Sequence, residues 1–322
     1  MSRRADAPKG GSRTRATAFA PATVANVASG FDILGFAIEG LGDRVTVARE
    51  EGPGVRIRLA AGGPAIPLDP EKNTAGRPLL AMLAELGDGF GFSVEIEKGI
   101  PLGSGLGGSA ASAVGAVVAA NELLDRPFSR ERLLEFALEG EAVASGAKHA
   151  DNVAPCLYGG FTLSTPGEHA RVTPVPCPSG IHAVMVHPDF ILETKAARAA
   201  LGKDLSLRTH IAQSARLASL VLGLCTADFE AIARGLEDVL VEPQRASLIP
   251  GFAAVKRAAL EADAIGASIS GAGPSVFAWA RSAEDAARIR DAMVRAFADH
   301  GKLSAKGFVS ELNRKGASVV DG

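Results

Sequence analysis

Cysteine is scarce in this chain. Three occur in 322 residues, Cys156, Cys177 and Cys225. They are odd in number, widely spaced and in no C-x-x-C pair, which argues against a disulfide framework and a cysteine-based zinc site and predicts a reducing, cytoplasmic setting. Charge of one sign is also lacking. The formal net charge is -2, and no long run of like charge follows the opening MSRRADAPKGGSRTR. Nothing here offers the electrostatic footprint that nucleic acid or an anionic membrane would require, so any bound phosphate belongs to a small molecule. No stretch approaches the roughly 18 uncharged apolar residues of a membrane span. The basic opening is not followed by an apolar segment of signal-peptide length, and residues 1–15 read as a short disordered tail. No internal repeat is visible. What the chain does have is 47% hydrophobic content, enough for a substantial core divided into about two domains.

Alternation in TAFAPATVANVA, DRVTVARE, GVRIRLA and FSVEIEKG predicts strands. NTAGRPLLAMLAELG reads as a helix, Ser109 to Leu124 as a second, and a third is capped by Ser129 and runs to about Ser145. The proline-rich STPGEHARVTPVPCPSG, near residues 165–180, predicts a connection between domains of residues 16–175 and 176–315. Beyond it come the strand IHAVMVHP, helices from about Glu193 to Leu240, the helix GFAAVKRAALEA and the paired strands GASIS and SVFAWA. A helix near Ala283 to His300 and the strand KGFVSEL follow. The expected class is α+β, with a ferredoxin-like α/β-plait as the second domain.

The most informative stretch is GIPLGSGLGGSAASAVGAVVAA, where glycine and serine fill Gly103 to Ser109 apart from Leu106. A flexible backbone opening onto a helix N-terminus suits an anion, above all a phosphate. Gly103, Gly105 and Gly108 do spell G-x-G-x-x-G. The approach EIEKGIP is nevertheless charged and closed by Pro101, and helix follows helix, so the context is not that of a dinucleotide fold. A Lys-Ser or Lys-Thr pair is missing from the end of the loop, which excludes Walker A.

Other residues could complete a phosphoryl-transfer site. Glu141 follows Leu134, Ala137 and Leu138 on an apolar helix stripe, where a carboxylate is either a metal ligand or an ordinary helix-face residue beside Glu139. His149, Asp151 and Asn152 crowd a turn that ends at Pro155, as site residues or as turn residues. Asn26 and Asp32 flank Ser29-Gly30 and could hold a hydroxyl and an amine, or shape a strand and a turn. Thr194, Arg198 and Arg245 lie in the second half, and Gly271, Gly273 and Pro274 form a tight turn between two strands that either joins them or closes over a ligand.

With these residues in place, PLGSGLGGSAAS resembles the phosphate loop of the GHMP kinases, and SISGAGPSVFA resembles their C-terminal glycine motif. PATVANVASGFDILG and HADNVAPCLYGGF are similar to the homoserine kinase branch. The likeness extends from about Ala16 to Leu312. It implies a two-domain GHMP kinase fold and transfer of the γ-phosphoryl of ATP to the side-chain hydroxyl of L-homoserine, for threonine synthesis. A kinase for another small alcohol, such as mevalonate or shikimate, and an inactive nucleotide-binding relative are the alternatives. Pro101, Leu102, Gly103, Ser104, Gly105, Leu106, Gly107, Gly108, Ser109, Ala110 and Ala111 would hold the nucleotide phosphates, and Ser109 and Glu141 would hold Mg²⁺. Asn26, Asp32, His149, Thr194, Arg198, Arg245, Gly271 and Gly273 match positions around the substrate, and Asn26, His149, Asp151 and Asn152 form the catalytic set. A zwitterion needs a carboxylate for its ammonium, for which Asp32 serves, and guanidinium forks for its carboxylate, for which Arg198 and Arg245 serve. The usual serine pair of the loop is Gly108-Ser109 here, so one side-chain hydrogen bond is lost. Whether Asp151 acts as a base or the proton passes to phosphate stays open. A homodimer is expected from the family and from the general frequency of symmetric dimers.

Overall fold

The computed structural model describes residues 13–59, 65–87, 89–165, 170–202 and 204–320. The expected basic tail lies outside the described residues as far as residue 12, and Arg15 already opens the first strand.

Strands β1 (Arg15–Ala25), β2 (Leu34–Glu50), β3 (Gly54–Leu59) and β4 (Gly91–Glu97) build the first sheet. β5 (Phe161–Thr165) and β6 (Arg171–Val175) join it at the near end of β2. The long β2 pairs with β1 along most of its length, with β4 at residues 44–50 and with β5 at residues 34–36. Helices α1 (Gly76–Leu86), α2 (Gly108–Asn121) and α4 (Ala150–Tyr158) pack on this sheet, and α3 (Arg130–Ser145) packs on those three helices. α2 is buried on almost every side, from Ala110 to Val117 without a break. Its alanines and glycines make that possible, because a helix surrounded by protein must be apolar all round and small enough for its neighbours. A Cβ at Gly115 would lie 2.6 Å from the Val45 side chain. The expected cap is present on α3, where the Ser129 hydroxyl accepts from the Arg132 N–H.

The second sheet has the order β10-β7-β9-β8, from β7 (His182–Pro188), β8 (Gly266–Ile269), β9 (Val276–Ala280) and β10 (Ala305–Ser310). All its pairings are antiparallel, which is the ferredoxin-like arrangement. Helices α9 (Phe252–Glu261) and α10 (Ala283–Ala296) cover one face. Between β7 and α9 the chain forms α5 (Thr194–Ala199), α6 (Leu207–Thr226), α7 (Phe229–Gly235) and α8 (Glu242–Arg245). Alternation divides the strand side chains between two cores. Val276, Ala278 and Ala280 face α9 and α10, while Phe277 and Trp279 join Phe36 and Phe161 of the first sheet. The Phe36 and Trp279 rings meet edge to face at 5.5 Å between centroids, a favoured aromatic geometry.

Two expectations need correction, and one element was not foreseen. The proline-rich stretch is not wholly a connection, because β6 lies within it as an edge strand paired only with β5, a position that tolerates Pro174. The polar segment at His149 is no turn ending at Pro155; it opens α4, and Pro155 lies inside the helix. Beyond residue 315 the chain returns to the first sheet as β11 (Ser318–Val320), antiparallel to β1. Among the described residues no helix is long and apolar enough to cross a membrane.

α4 meets β2 at a contact with no room for a side chain. A Cβ on Gly35 would lie 1.8 Å from the carbonyl oxygen of Asp151, the acceptor that Pro155 deprives of its helical donor. Replacing Gly35 with Ala should therefore force α4 outward and cost about 2–3 kcal/mol in denaturant unfolding. An unchanged midpoint would show that the helix slides at no cost.

Candidate active site

Two connected cavities lie where the sheets meet. The larger, about 420 Å³, is lined by residues 101–105 and 107–109 of the glycine loop, by Lys98, Glu141, Asn152, Thr194 and Gly271, and by an apolar wall that includes Ile66, Ile96 and Val143. The smaller, about 50 Å³, is lined by Asn26, Phe31, Asp32, Glu141, His149, Asp151, Asn152, Thr194, Arg198, Arg245 and Gly271 among others. Glu141, Asn152, Thr194 and Gly271 border both. Residues far apart in the chain are thus gathered as expected, with a few exceptions. Leu106, Ala110 and Ala111 are fully buried in the core, and Gly273 lines neither cavity.

The loop adopts a shape that only glycine takes readily. Gly103, Gly105 and Gly107 have φ of 64°, 77° and 71°, in the left-handed region that a Cβ disfavours. Crowding adds to this at Gly105, where a Cβ would lie 2.5 Å from the carbonyl oxygen of Ser270 and 2.6 Å from that of Gly273. The Ser270 hydroxyl donates to the Gly105 carbonyl at 2.8 Å, and the Ser275 N–H donates to the Ser104 carbonyl at 3.2 Å. This is the part Gly273 plays: its turn supports the loop from behind.

At the head of α2 the Ser109 hydroxyl donates to Glu141 Oε2 at 3.0 Å. Burial pushes the Glu141 carboxyl up to about 7, against the lowering effect of that hydrogen bond. Asp151 is pushed up to about 8, first by burial and then by the neighbouring Asp32 and Glu141. A hydroxyl and a carboxylate oxygen side by side at the end of the glycine loop are hard donors of the kind Mg²⁺ takes together with phosphate oxygens. Among the described residues no group of three or more His, Cys, Asp or Glu is placed to hold a metal without such help.

In the smaller cavity Asp32 and Arg198 form a bidentate pair, with both oxygens accepting from the guanidinium at 2.8 Å. Arg198 Nη2 also lies 3.2 Å from His149 Nε2. A guanidinium only donates, so His149 accepts there as a neutral ring with its proton on Nδ1, 3.7 Å from Asp32 Oδ2. Burial keeps the His149 pKa low, with Arg198 adding to it and Asp32 opposing. Arg245 is 3% exposed and donates to the carbonyls of Ala197, at 3.0 Å, and Gly271, at 3.2 Å. Burial and then the Arg198 charge pull its pKa down. The Phe31 ring lies 5.2 Å from each guanidinium carbon, within cation–π range.

Asn26 anchors this corner. Its amide donates to the Gly271 carbonyl at 2.7 Å and its oxygen accepts from the Asp32 N–H at 3.0 Å. Asn26, Val27 and Ala28 have φ of 70°, 45° and 58°, a run of left-handed non-glycine residues of the sort found at functional sites. Asn152 is held by the Thr23 hydroxyl, which donates to its Oδ1 at 2.7 Å. Sequence reasoning passed over Thr23, Phe31, Lys98 and Asp43. Lys98 had one signal, a charge directly ahead of the loop; Asp43 sits in an ordinary strand pattern and had none.

The two raised carboxyl groups determine how stability responds to pH. Unfolded Asp and Glu release their protons near 4, whereas in the folded chain Glu141 and Asp151 do so at about 7 and about 8. The folded chain therefore binds more protons across that interval, and its stability falls as the pH rises through it. The ligand-free melting temperature should drop between about pH 5 and pH 8, and Glu141→Gln should flatten the drop, gaining about 2–4 °C at pH 8 for each kcal/mol recovered. A slope identical to that of the unaltered chain would mean that Glu141 is already ionised at low pH.

Comparison with known proteins gives the site its context. The GHMP kinases N terminal domain matches residues 73–160, and the GHMP kinases C terminal domain matches residues 220–299. Homoserine kinase of Xanthomonas campestris pv. campestris is 50% identical over 306 residues, spanning 95% of this chain and 94% of its own. Homoserine kinase of Xylella fastidiosa (strain M12) is 50% identical over 307 residues, with the same coverage of 95% and 94%. The crystal structure of homoserine kinase from Cytophaga hutchinsonii superposes with a TM-score of 0.91 at 44% identity, covering 97% of this chain and 99% of that one. With both family domains present in order and full-length relatives at this identity, the chain belongs to the GHMP kinases, in their homoserine kinase branch.

Proposed function

We propose that the chain is an ATP-dependent homoserine kinase, which transfers the γ-phosphoryl of ATP to the side-chain hydroxyl of L-homoserine to give O-phospho-L-homoserine for threonine synthesis. The observation that carries the reading is the charge arrangement in the smaller cavity. Asp32 and Arg198 satisfy each other, while Arg245 is buried beside them with backbone carbonyls as its hydrogen-bond partners. A molecule with both an ammonium and a carboxylate can take Asp32 with one end and the guanidinium groups with the other, so that each of its two charges meets an opposite charge. An anion without an amine could use the guanidinium groups but would offer Asp32 no partner of its own. The disfavoured alternatives are therefore alcohols such as mevalonate and shikimate.

In this reading the loop amides and the N-terminus of α2 receive the nucleotide phosphates, and the apolar wall of the larger cavity receives the base. Ser109 and Glu141 hold Mg²⁺, whose chemistry is to neutralise charge on the phosphate oxygens. The substrate hydroxyl faces Asn26, His149 and Asn152, near the residues that border both cavities. Asn26 keeps one N–H and one lone pair beyond its two structural hydrogen bonds. Asp151, at about 8, is mainly protonated at neutral pH and enters as a hydrogen-bond donor. The three cysteines are free, which supports the cytoplasmic setting expected from their spacing.

ADP release measured in parallel with homoserine, mevalonate and shikimate should favour homoserine; preference for an acceptor lacking an amine would overturn the reading. Glu141→Gln should lower turnover by about 10² or more through weakened metal binding, and near-normal turnover at saturating Mg²⁺ would remove Glu141 from that role. Asp32→Asn should raise the KM for homoserine at least tenfold while leaving the KM for ATP within about twofold, the pattern of a lost ground-state contact.

A further inference from the structure

Directly behind the glycine loop, reaching the larger cavity through Lys98 and Ser112, lies a buried polar cluster that the proposed function does not use. Asp43 on β2 has no exposed surface. Its Oδ1 accepts from the N–H groups of Gly99 and Ile100, each at 3.1 Å. Its Oδ2 accepts from the Ser112 hydroxyl at 3.1 Å and pairs with the Lys98 ammonium, whose side chain is 6% exposed. Lys98 Nζ donates in turn to the Gly108 carbonyl at 2.8 Å and lies 3.1 Å from Ser112 Oγ.

One carboxylate thus ties the start of the loop, at residues 99 and 100, to its end, in the first turn of α2. We infer that Asp43 is a positioning residue for phosphoryl transfer, which acts through Lys98 to fix the orientation of the phosphate-binding amides. The argument follows from the peptide unit between Gly108 and Ser109. In a trans peptide the C=O and the N–H point in opposite directions, so a cation anchored on the Gly108 carbonyl aims the Ser109 N–H the other way, along the helix axis toward the loop. The same anchor sets the residue whose hydroxyl meets Glu141.

Stability alone does not account for such a device. Well-packed apolar residues often replace a buried ion pair without loss, whereas removing one partner leaves a buried charge unmatched. The cluster lies close under Gly108, where a Cβ would come within 3.3 Å of Lys98 Nζ. Without the Asp43 charge, Lys98, which borders the larger cavity, has no carboxylate to hold it against the helix.

This inference rests on the reading of the loop as the nucleotide site, so nucleotide binding is measured separately from turnover. Calorimetry with a magnesium complex of a non-hydrolysable ATP analogue, together with steady-state kinetics, should be run on the full chain carrying Asp43→Asn, Lys98→Met or Ser112→Ala. Asp43→Asn and Lys98→Met should weaken analogue binding at least tenfold and lower kcat at least tenfold, with the KM for homoserine within twofold. Ser112→Ala, which removes one hydrogen bond, should weaken analogue binding about threefold and serves as the deciding variant if the other two do not fold. Lowered melting temperatures with unchanged analogue affinity and unchanged kcat per folded molecule would reduce the cluster to a structural role and overturn the inference. If the unaltered chain binds the analogue but releases no ADP with homoserine, the proposed function fails while the inference about the loop stands.

Discussion

The rest of the structure depends on a seam where three stretches of backbone meet with almost no side chain between them: the glycine loop, the turn at residues 270–275, and the end of β1. Gly271 donates to the Ala25 carbonyl, Ser275 to the Ser104 carbonyl, and Thr23 to the Leu106 carbonyl. Main-chain groups removed from water must find partners, and here each stretch supplies partners for the others. The glycine loop is consequently braced from both halves of the molecule. Its left-handed glycines are the local cost of that closeness.

In front of this seam the electrostatics are arranged in tiers. Carboxyls near the loop, Glu141 and Asp151, are held toward their neutral forms by burial. Deeper in the smaller cavity Asp32 stays matched to Arg198 at hydrogen-bond distance, and the second guanidinium is cushioned by backbone carbonyls and an aromatic face. The two cavities therefore offer different electrostatic environments a few residues apart, with Glu141, Asn152 and Thr194 bordering both.

Much of this was legible in the sequence, for identifiable reasons. The loop announces itself because left-handed backbone selects glycine, and the helices by their caps, as Ser129 does for α3. Strand alternation marked β1, the far half of β2, β3 and β4 correctly. Position across the fold was less visible. Pro155 looked like a terminator because proline ordinarily ends helices, yet the Gly35 backbone leaves space for the carbonyl it frees. β6 was hidden by prolines that an edge strand tolerates, and β11 by its shortness. Asp32 and Arg198 were recognisable as complementary charges for a substrate, but their pairing with each other depends on α5 being brought against the turn between β1 and β2, which no local pattern encodes. Asp43 reads as one more polar residue in an alternating strand, and its importance arises from what β4 and α2 carry toward it.

The alternation along β9 has a broader consequence. Because successive residues of one strand belong to different cores, the second sheet is at once the floor of one layer and the ceiling of the other, and the interior has no plane along which the halves part. A hinge needs a surface that can separate without exposing apolar area, and the ring cluster of Phe36, Phe161, Phe277 and Trp279 denies it one. Thr194 and Arg198, on the short α5, line the smaller cavity at the edge of this undivided body.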